Sequence, residues 1–573
     1  MSPEEKPGAA KPPPPAPARP APKHPGFVTV TVDGKEVVAK PGTNMITAAK
    51  TVGADIPYYC WHHRLSIAAN CRMCLVEAST SPKLVPACQT ALQEGMVIRT
   101  DTARVAESRR AIMEFLLLNH PVDCAICDQA GECKLEDYYQ RMDAKPSRLE
   151  GDKVLRDKRR VLGPLVVLDQ ERCVLCTRCV RFMEEVAKEP QLGVFARGSD
   201  EYIDVFPGRQ LTSNYSGNVV DLCPVGALLN RDFRFRARTW FLSTVASVCT
   251  GCSRGCSAYV DFLGQDTYRY RPRENDAINQ SWLCDAGRLS YRTLNVDRVS
   301  TAAVGRGDDR REVSTAEALA RATVQLKAMA GTAELAVLVS PACSNEDLLA
   351  GLTFAKDALG VRSLYVGGRP DGAADKLLMR ADKNPNRRGL EWIAAALGLG
   401  LRPFADLVSA IDAGRVKALY ALGGEVPVPA SEAAAALGKV EFVVLQATNL
   451  SPVTAGVDVL LPAAVHVEDE GTFTQAEGIT QRVRRAYPPR AGVQSHWKWA
   501  VDIMREFGFP VTLASAREVF QEIAPKVPEL AAFDWDKEAP PLKTTRGIAP
   551  LPTGADGRPP GYREFGAPRV RGI

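Results

Sequence analysis

Fifteen of the sixteen cysteines fall into four tight groups, all before residue 285, and a histidine stands beside the one group that is a thiol short. The first group is Cys60, Cys71, Cys74 and Cys88 (C-x10-C-x2-C-x13-C). The second is His120, Cys124, Cys127 and Cys133 (H-x3-C-x2-C-x5-C). The third is Cys173, Cys176 and Cys179, closed by Cys223, which Pro224 follows. The fourth is Cys249, Cys252 and Cys256, closed by Cys284. Fifteen thiols and one imidazole make four sets of four, which is what four iron–sulfur clusters need. Within each group a short loop supplies two or three ligands and a separate segment supplies the rest, so binding would tie that segment down.

Three plainer readings compete. Structural disulfides suit small secreted chains; this chain is long, no signal peptide is read at its start, and C-x2-C steps suit metal loops better. Zinc favours paired C-x2-C knuckles. The third group instead has C-x2-C-x2-C with a distant C-P, the ferredoxin-like cubane pattern, and the first is near the plant-type [2Fe–2S] arrangement with altered spacing. Buried, unligated cysteine suits Cys343, which stands alone beyond the apolar stretch 335–339 and reads as a small core residue. A lone histidine is most often surface or core furniture. His120 coincides with the missing fourth ligand of the second group, and imidazole can replace thiolate on iron. His62 and His63 follow a group already complete and are left unassigned.

At 573 residues the chain should hold several domains. Hydrophobic content of 45% and charge of 24% are ordinary for globular protein. A net charge of +5 makes no case for nucleic acid. No apolar run approaches a membrane span; the best, residues 111–118, is short and contains Glu114. The expectation is a chain in a reducing cytoplasm, soluble or held at a membrane by a partner.

Several elements must position these ligands. Residues 1–25 read as a Pro-rich disordered tail. Alternation at Val28, Val30 and Val32, the hairpin signal Asp33-Gly34 and the return at Val37-Val38 predict a hairpin. A helix follows over 44–52, capped by Thr43 or Asn44. Hairpin, helix and cysteine loop is the order of a β-grasp ferredoxin domain. Asn70, before Cys71, is placed where a cluster loop needs a permissive backbone. An amphipathic helix is predicted over 101–119 from Val105, Ile112, Phe115, Leu116 and Leu118, stopped by Pro121, with a restart over 135–139. A ferredoxin-like insertion over 165–230 surrounds the third group, and 245–290 is a compact segment around the fourth. Beyond residue 300, helices (316–330, 346–359) alternate with strands (335–339, 364–366, 416–422, 442–445), an α/β layout with a mainly parallel sheet. Gly423-Gly424 is a weak nucleotide-turn signal, more simply a tight strand-to-helix turn.

Together these motifs resemble the large iron–sulfur subunit family of respiratory complex I, the G or 75-kDa type of NADH:quinone oxidoreductase. Order and spacing of all four groups match, as do Asn70-Cys71-Arg72-Met73-Cys74, Asp128-Gln129-Ala130-Gly131-Glu132-Cys133 and Trp282-Leu283-Cys284-Asp285-Ala286-Gly287-Arg288. The resemblance implies one [2Fe–2S] cluster on the Cys60 group and three [4Fe–4S] clusters on the His120, Cys173 and Cys249 groups. It implies an electron-transfer subunit of an NADH dehydrogenase (translocase) with no catalytic residue of its own. Electrons would come from a flavin-bearing, NADH-oxidising subunit, pass through the first, third and second groups, and leave to quinone-side iron–sulfur subunits. The Cys249 cluster would lie off this route. The location implied is peripheral, in the hydrophilic arm on the cytoplasmic face of the cell membrane.

Residues 457–462, 470–473 and 477–481 resemble the molybdopterin oxidoreductases. Fewer than 300 residues follow Cys284, short of a bis-pterin enzyme, and Cys343 is the single further thiol, so a reduced domain without molybdopterin is expected. The expected fold is therefore multidomain, α/β and α+β. It comprises a tail (1–25), a β-grasp [2Fe–2S] ferredoxin domain (26–105), a [4Fe–4S] domain with one histidine and three cysteine ligands (106–145) and a [4Fe–4S] ferredoxin-like region (146–240). A molybdopterin-oxidoreductase-type [4Fe–4S] domain (241–298), a reduced α/β domain of that superfamily (299–535) and an extended tail (536–573) complete it. The competing functions are a molybdenum-dependent formate dehydrogenase-like catalytic subunit, the diaphorase subunit of an NAD-reducing hydrogenase, and a non-redox zinc scaffold.

Overall fold

Asp33 (φ 46°) and Gly34 (φ 82°) both take left-handed backbone, the two-residue turn that suits the right-handed twist of a hairpin. The strands Val28–Val32 and Lys35–Ala39 accordingly pair antiparallel with Val32 opposite Lys35. The computed structural model describes residues 24–142 and 146–536 and the backbone of 543–544. The two expected tails fall almost wholly outside the described residues. The hairpin is extended by Val97–Arg99, parallel to the first strand, then by Leu75–Ala78 and Ser81–Pro86. Across it lies the helix Met45–Thr51, capped by Asn44, whose side chain accepts from Thr47 N at 2.9 Å. Met45, Ile46, Ala48 and Ala49 bury against Val30, Val32 and Ile98, and Cys74 and Cys88 belong to this same core.

The helix Ala103–Leu118 forms as predicted, with Thr102 as its cap, but buries only Val105 and Met113. Phe115 is 73% exposed: apolar residues occupy two sides of the helix and only one side packs. After a loop comes Lys134–Met142. The third group sits in a small antiparallel sheet (Arg160–Val161, Val166–Leu168, Leu228–Asn230) with helices Arg178–Glu185 and Gly217–Leu222.

An antiparallel meander, Ser243–Val248, Ser257–Leu263 and Asp266–Pro272, carries the fourth group. Its centre is Asp261, 1% exposed, which accepts from Arg269 Nε (2.7 Å), Arg271 Nε (2.7 Å) and Thr244 Oγ1 (2.7 Å). Burial opposes its charge, but Arg271 and Arg269 outweigh burial and hold the carboxyl well below the usual range. A carboxyl held low stabilises the fold above its unfolded pKa and loses that contribution as pH falls through the folded value. Asp261→Asn should therefore cost about 2 kcal/mol at neutral pH. The gap to wild type should narrow only below about pH 4, as measured by thermal melts across pH; a gap that does not change with pH would remove the ion pairs as its cause.

Beyond residue 300 an eight-stranded sheet runs in the order Arg311–Val313, Ala302–Val304, Val459–Pro462, Phe442–Ala447, Ala418–Leu422, Leu335–Val339, Ser363–Val366, Gly400–Pro403. The last six in that order are parallel. The chain moves outward from Leu335–Val339 in one direction, then returns to its other side at Ala418–Leu422, so the strand order reverses between these two. Separate apolar cores contain side chains from this sheet. The predicted helix 346–359 is α-helical only over Asn345–Thr353 and continues as a wider π turn, Phe354–Ala358. Gly423 (φ 91°) is required sterically, since a Cβ there would reach the Cβ of Ser340 at 2.5 Å. Among the described residues no helix is long and apolar enough to cross a membrane.

Candidate iron–sulfur sites

Wrapping a short loop around a cluster demands backbone that L-residues rarely adopt, and the loops show it. In the first loop Ala69 (φ 51°) and Arg72 (φ 56°) are left-handed, flanking Asn70 and Cys71; the permissive position expected at Asn70 lies one residue to either side of the Asn70-Cys71 pair. Asn70 instead donates its side-chain amide to Leu175 O (3.0 Å), in the third loop. Leu175 (φ 49°) and Thr177 (φ 58°) are left-handed there.

In the first group the thiols of Cys60 and Cys71, Cys60 and Cys88, and Cys74 and Cys88 are within hydrogen-bond reach of one another. Hydrogen bonds from Cys71 and Cys88 pull Cys60 down, and one from Cys88 pulls Cys74 down; donating pushes Cys71 up, and Cys88 up through Cys60 first and Cys74 second. Cys60 N also points at Cys71 Sγ (3.5 Å), so the four sulfurs are gathered as a set that iron could take up. His62, lowered to about 3 by burial, stacks 5.6 Å from Trp282, and His63 bonds Glu274 at 2.7 Å, so both have structural partners.

His120 stands two residues beyond the helix Ala103–Leu118. Lys153 Nζ caps that helix end by donating to Leu117 O (2.9 Å) and Leu118 O (2.8 Å), and Val154 N donates to Asn119 Oδ1 (3.0 Å). Burial first, then Arg172 and Lys153, lowers His120 to about 4, leaving the neutral imidazole that binds metals. Cys127 and Cys133 are buried and Cys124 is exposed. Burial pushes Cys133 up to about 12.

Cys173, Cys176, Cys179 and Cys223 line one small apolar cavity with Leu168 and Val225. Leu175 N points at Cys173 Sγ (3.4 Å). In the fourth group Gly251 N points at Cys249 Sγ (3.4 Å) and Gly287 N at Cys284 Sγ (3.3 Å). A Cβ on Gly287 would lie 2.8 Å from Cys249 Sγ and 3.2 Å from Cys284 Sγ, so glycine leaves room between two thiols. Burial raises Cys173 and Cys249 to about 12 and Cys176 and Cys284 to about 11. Such thiols ionise only beside a strong positive charge, and backbone N–H groups aimed at sulfur stabilise the thiolate once formed. These features fit iron–sulfur clusters. Among the described residues no three His, Cys, Asp or Glu side chains converge tightly enough for one ion.

The spacing of cysteines did not reveal what joins the groups. Arg181 donates to Cys60 O (2.6 Å), Cys176 O (3.1 Å) and Ser66 O, clamping the first loop to the third. Arg178 joins Trp61 O (2.5 Å) to Leu222 O (3.1 Å), beside Cys223. A Cβ on Gly226 would collide with Cys127 Sγ, so the segment closing the third group lies against the second. Asn218 Nδ2 donates to Leu283 O (2.8 Å), and Gly217 N to Asp285 Oδ1 (2.8 Å), which brings the fourth group's last ligand beside the third. A buried arginine looks like any surface arginine in sequence, and no local signal would have found these.

Four family models match: "2Fe-2S iron-sulfur cluster binding domain" over residues 27–103, "NADH-ubiquinone oxidoreductase-G iron-sulfur binding region" over 109–148, "NADH-quinone oxidoreductase subunit 3, ferredoxin-like domain" over 163–229, and "Molybdopterin oxidoreductase" over 391–506. Fold and sites thus define an iron–sulfur protein, a [2Fe–2S] ferredoxin domain and [4Fe–4S] regions followed by a domain of the molybdopterin oxidoreductase kind. The chain is a relative of the large iron–sulfur subunit of NADH-quinone oxidoreductase, of the G or 75- to 78-kDa type.

The mitochondrial 78 kDa subunit of NADH-ubiquinone oxidoreductase from Candida albicans is 41% identical over 295 residues, 51% of this chain and 41% of its own length. The NADH-quinone oxidoreductase G subunit of Rickettsia conorii is 39% identical over 304 residues, 53% and 45%. NADH dehydrogenase [ubiquinone] iron-sulfur protein 1 of Solanum tuberosum is 38% identical over 403 residues, 70% and 54%. The chain spans about half the length of the curated relatives it matches. A chain of a solved NAD+-reducing [NiFe]-hydrogenase, 26% identical over 37% of this chain and 91% of its own, superposes with a TM-score of 0.34, too low to bear on the assignment.

Proposed function

We propose that this chain is an electron-relay subunit of an NADH:quinone oxidoreductase. One [2Fe–2S] cluster would be held by Cys60, Cys71, Cys74 and Cys88. Three [4Fe–4S] clusters would be held by His120, Cys124, Cys127 and Cys133, by Cys173, Cys176, Cys179 and Cys223, and by Cys249, Cys252, Cys256 and Cys284. Bound clusters would supply one-electron exchange. The protein's part is to keep ligand loops rigid, adjacent and dry. The observation that carries the reading is the central position of the third group. Arginines 178 and 181 tie the first loop to it, and Gly226 sets the second against it, which fits the order first, third, second. The division into domains expected from the sequence, a flavin-bearing NADH-oxidising subunit and quinone-side iron–sulfur subunits as partners, and a peripheral place on the cytoplasmic face of the membrane belong to the same reading.

Purification with associated subunits, followed by metal analysis, tests it. At least about 14 irons and about 14 sulfides per chain, any excess belonging to iron–sulfur partners, with neither zinc nor molybdenum, is the expected result. Stoichiometric molybdenum with formate oxidation would establish the formate dehydrogenase reading, and zinc without sulfide the scaffold. His120→Ala should alter or abolish one [4Fe–4S] signal in low-temperature EPR; an unchanged set of spectra removes His120 from the ligands. Cys252→Ala should leave NADH-to-quinone turnover largely intact in fully assembled complex, whereas lost turnover would put the fourth group on the route.

A further inference from the structure

A second feature, in the α/β domain, borders the fourth cysteine group at Thr250 but shares none of its ligands. A cavity of about 490 Å³, within the range of small-molecule sites, opens at the C-terminal ends of the parallel strands. It lies at the switch point between Leu335–Val339 and Ala418–Leu422, where open α/β sheets bind ligands. Its walls carry Asp297, Asp347, Glu425, Asp469, Glu470 and one guanidinium, Arg369, while Arg482 pairs with Glu470 at 2.6 Å. The histidines His466 and His496 are both kept neutral by burial.

A molybdopterin cofactor, with its phosphate, does not fit this wall. The N-termini of Asn345–Thr353 and His496–Glu506, which would attract an anion, are occupied by the chain's own carboxylates. Asp347 accepts from Ser344 N (3.1 Å), at the start of Asn345–Thr353, and from Trp497 N (2.9 Å), in the first turn of His496–Glu506. Asp469 accepts from Trp497 Nε1 (2.8 Å) and from Ser495 Oγ.

Acceptors, by contrast, are left over. His496 is 5% exposed and lines the cavity. Gln446 donates its amide nitrogen to Tyr420 Oη (2.6 Å), so its oxygen faces His496 Nδ1 (2.8 Å), which carries the proton. His496 Nε2 is then a bare lone pair with no hydrogen-bond partner among the described residues. Glu425 accepts from Ser340 Oγ through Oε2 (2.9 Å), with Oε1 free for a donor.

We propose that this cavity binds a small organic cation rich in N–H donors, an amine or guanidinium compound, through His496 Nε2 and the Glu425 carboxylate. The apolar walls, Val426, Val428, Leu450 and Val465 among them, would take its hydrocarbon part. The nature of the ligand follows from what is left over: with Asp347 and Asp469 held by the chain's own donors and Glu470 by Arg482, Asp297, Glu425 and the imidazole lone pair remain, acceptors matched by a cation that donates.

Isothermal titration of the full cluster-loaded chain with agmatine, with spermidine and with Mg2+ alone tests this. Agmatine carries a guanidinium and an amine, spermidine amines only, so the two arms separate the sources of the shared chemistry. One saturable site for either organic cation is expected, at least about tenfold weaker in Glu425→Gln, the loss of one charge-assisted hydrogen bond. His496→Gln, which removes the imidazole lone pair, should weaken it as well, with circular dichroism and iron content matching wild type. No heat from either organic cation up to about 10 mM overturns the proposal. So does binding unaffected by Glu425→Gln, or a Glu425-dependent site filled by Mg2+ alone. Iron and sulfide counts on the same sample report separately on the cluster reading.

Discussion

Arg298→Met should destabilise the chain by about 3–5 kcal/mol, the cost of stranding a buried charge. The Arg298 and Glu468 side chains are 1% and 0% exposed and meet in a two-pronged pair, Nη1 to Oε1 at 3.0 Å and Nη2 to Oε2 at 2.7 Å. Arg298 also donates to Thr448 O (3.0 Å), Leu294 O (3.2 Å) and Ala463 O (3.3 Å), and Glu468 accepts from Val465 N (3.0 Å). The pair thus stitches the segment after the fourth group to the ends of two central strands of the large sheet. Met fills the volume but leaves Glu468 charged and removes a donor from three carbonyls, of which, among the described residues, Thr448 O alone keeps a backbone partner, Val299 N. The double variant Arg298→Met, Glu468→Leu should recover most of the loss, because no charge is then left alone. Calorimetric melting of single and double variants checks both halves; a double variant no better than the single would mean that the carbonyl contacts, not the ion pair, carry the effect.

Arg181→Met should release iron from two groups at once. Its guanidinium is buried and bridges the Cys60 and Cys176 carbonyls, and its Nε reaches Thr177 Oγ1 at 3.3 Å. Charged hydrogen bonds are each worth about 1.5–3 kcal/mol, so losing several should loosen both loops. The expected result is weakened [2Fe–2S] and [4Fe–4S] EPR signals together, against the single signal lost on removing one cysteine of one group. Arg181→Lys keeps the charge without the planar fork and should rescue only partly. Full iron retention in Arg181→Met would show the clamp to be dispensable.

What the sequence disclosed follows from range. The Asp33-Gly34 turn, the Asn44 cap and the strand at 335–339 are decided within a few residues, and the structure has them where the pattern puts them. The cysteine groups were legible because a cluster loop is itself local. Ala69 and Arg72, not Asn70, take the left-handed backbone because the loop's path, not residue preference, sets the torsions. Phe115 counted as core by periodicity and lies outside, since periodicity marks an apolar side without saying what covers it. Arg178, Arg181 and the His496–Gln446–Tyr420 relay join residues tens of positions apart and have no signature in a single chain.

One apolar core includes Cys60, Cys133, Cys176, Cys179, Cys249, Cys256 and Cys284, drawn from all four groups, and Cys71, Cys173 and Cys223 pack against it. If these cysteines hold the proposed clusters, metal delivery and tertiary collapse would be one event rather than two. A chain short of iron would have uncompensated sulfur at its centre and could not close around it, so it would stay open to proteases for as long as it stayed empty. Oxidative loss at one site would loosen its neighbours through the same packing. The architecture would thus act as its own inspection step, in which only a fully loaded chain reaches the folded state that a larger assembly can accept.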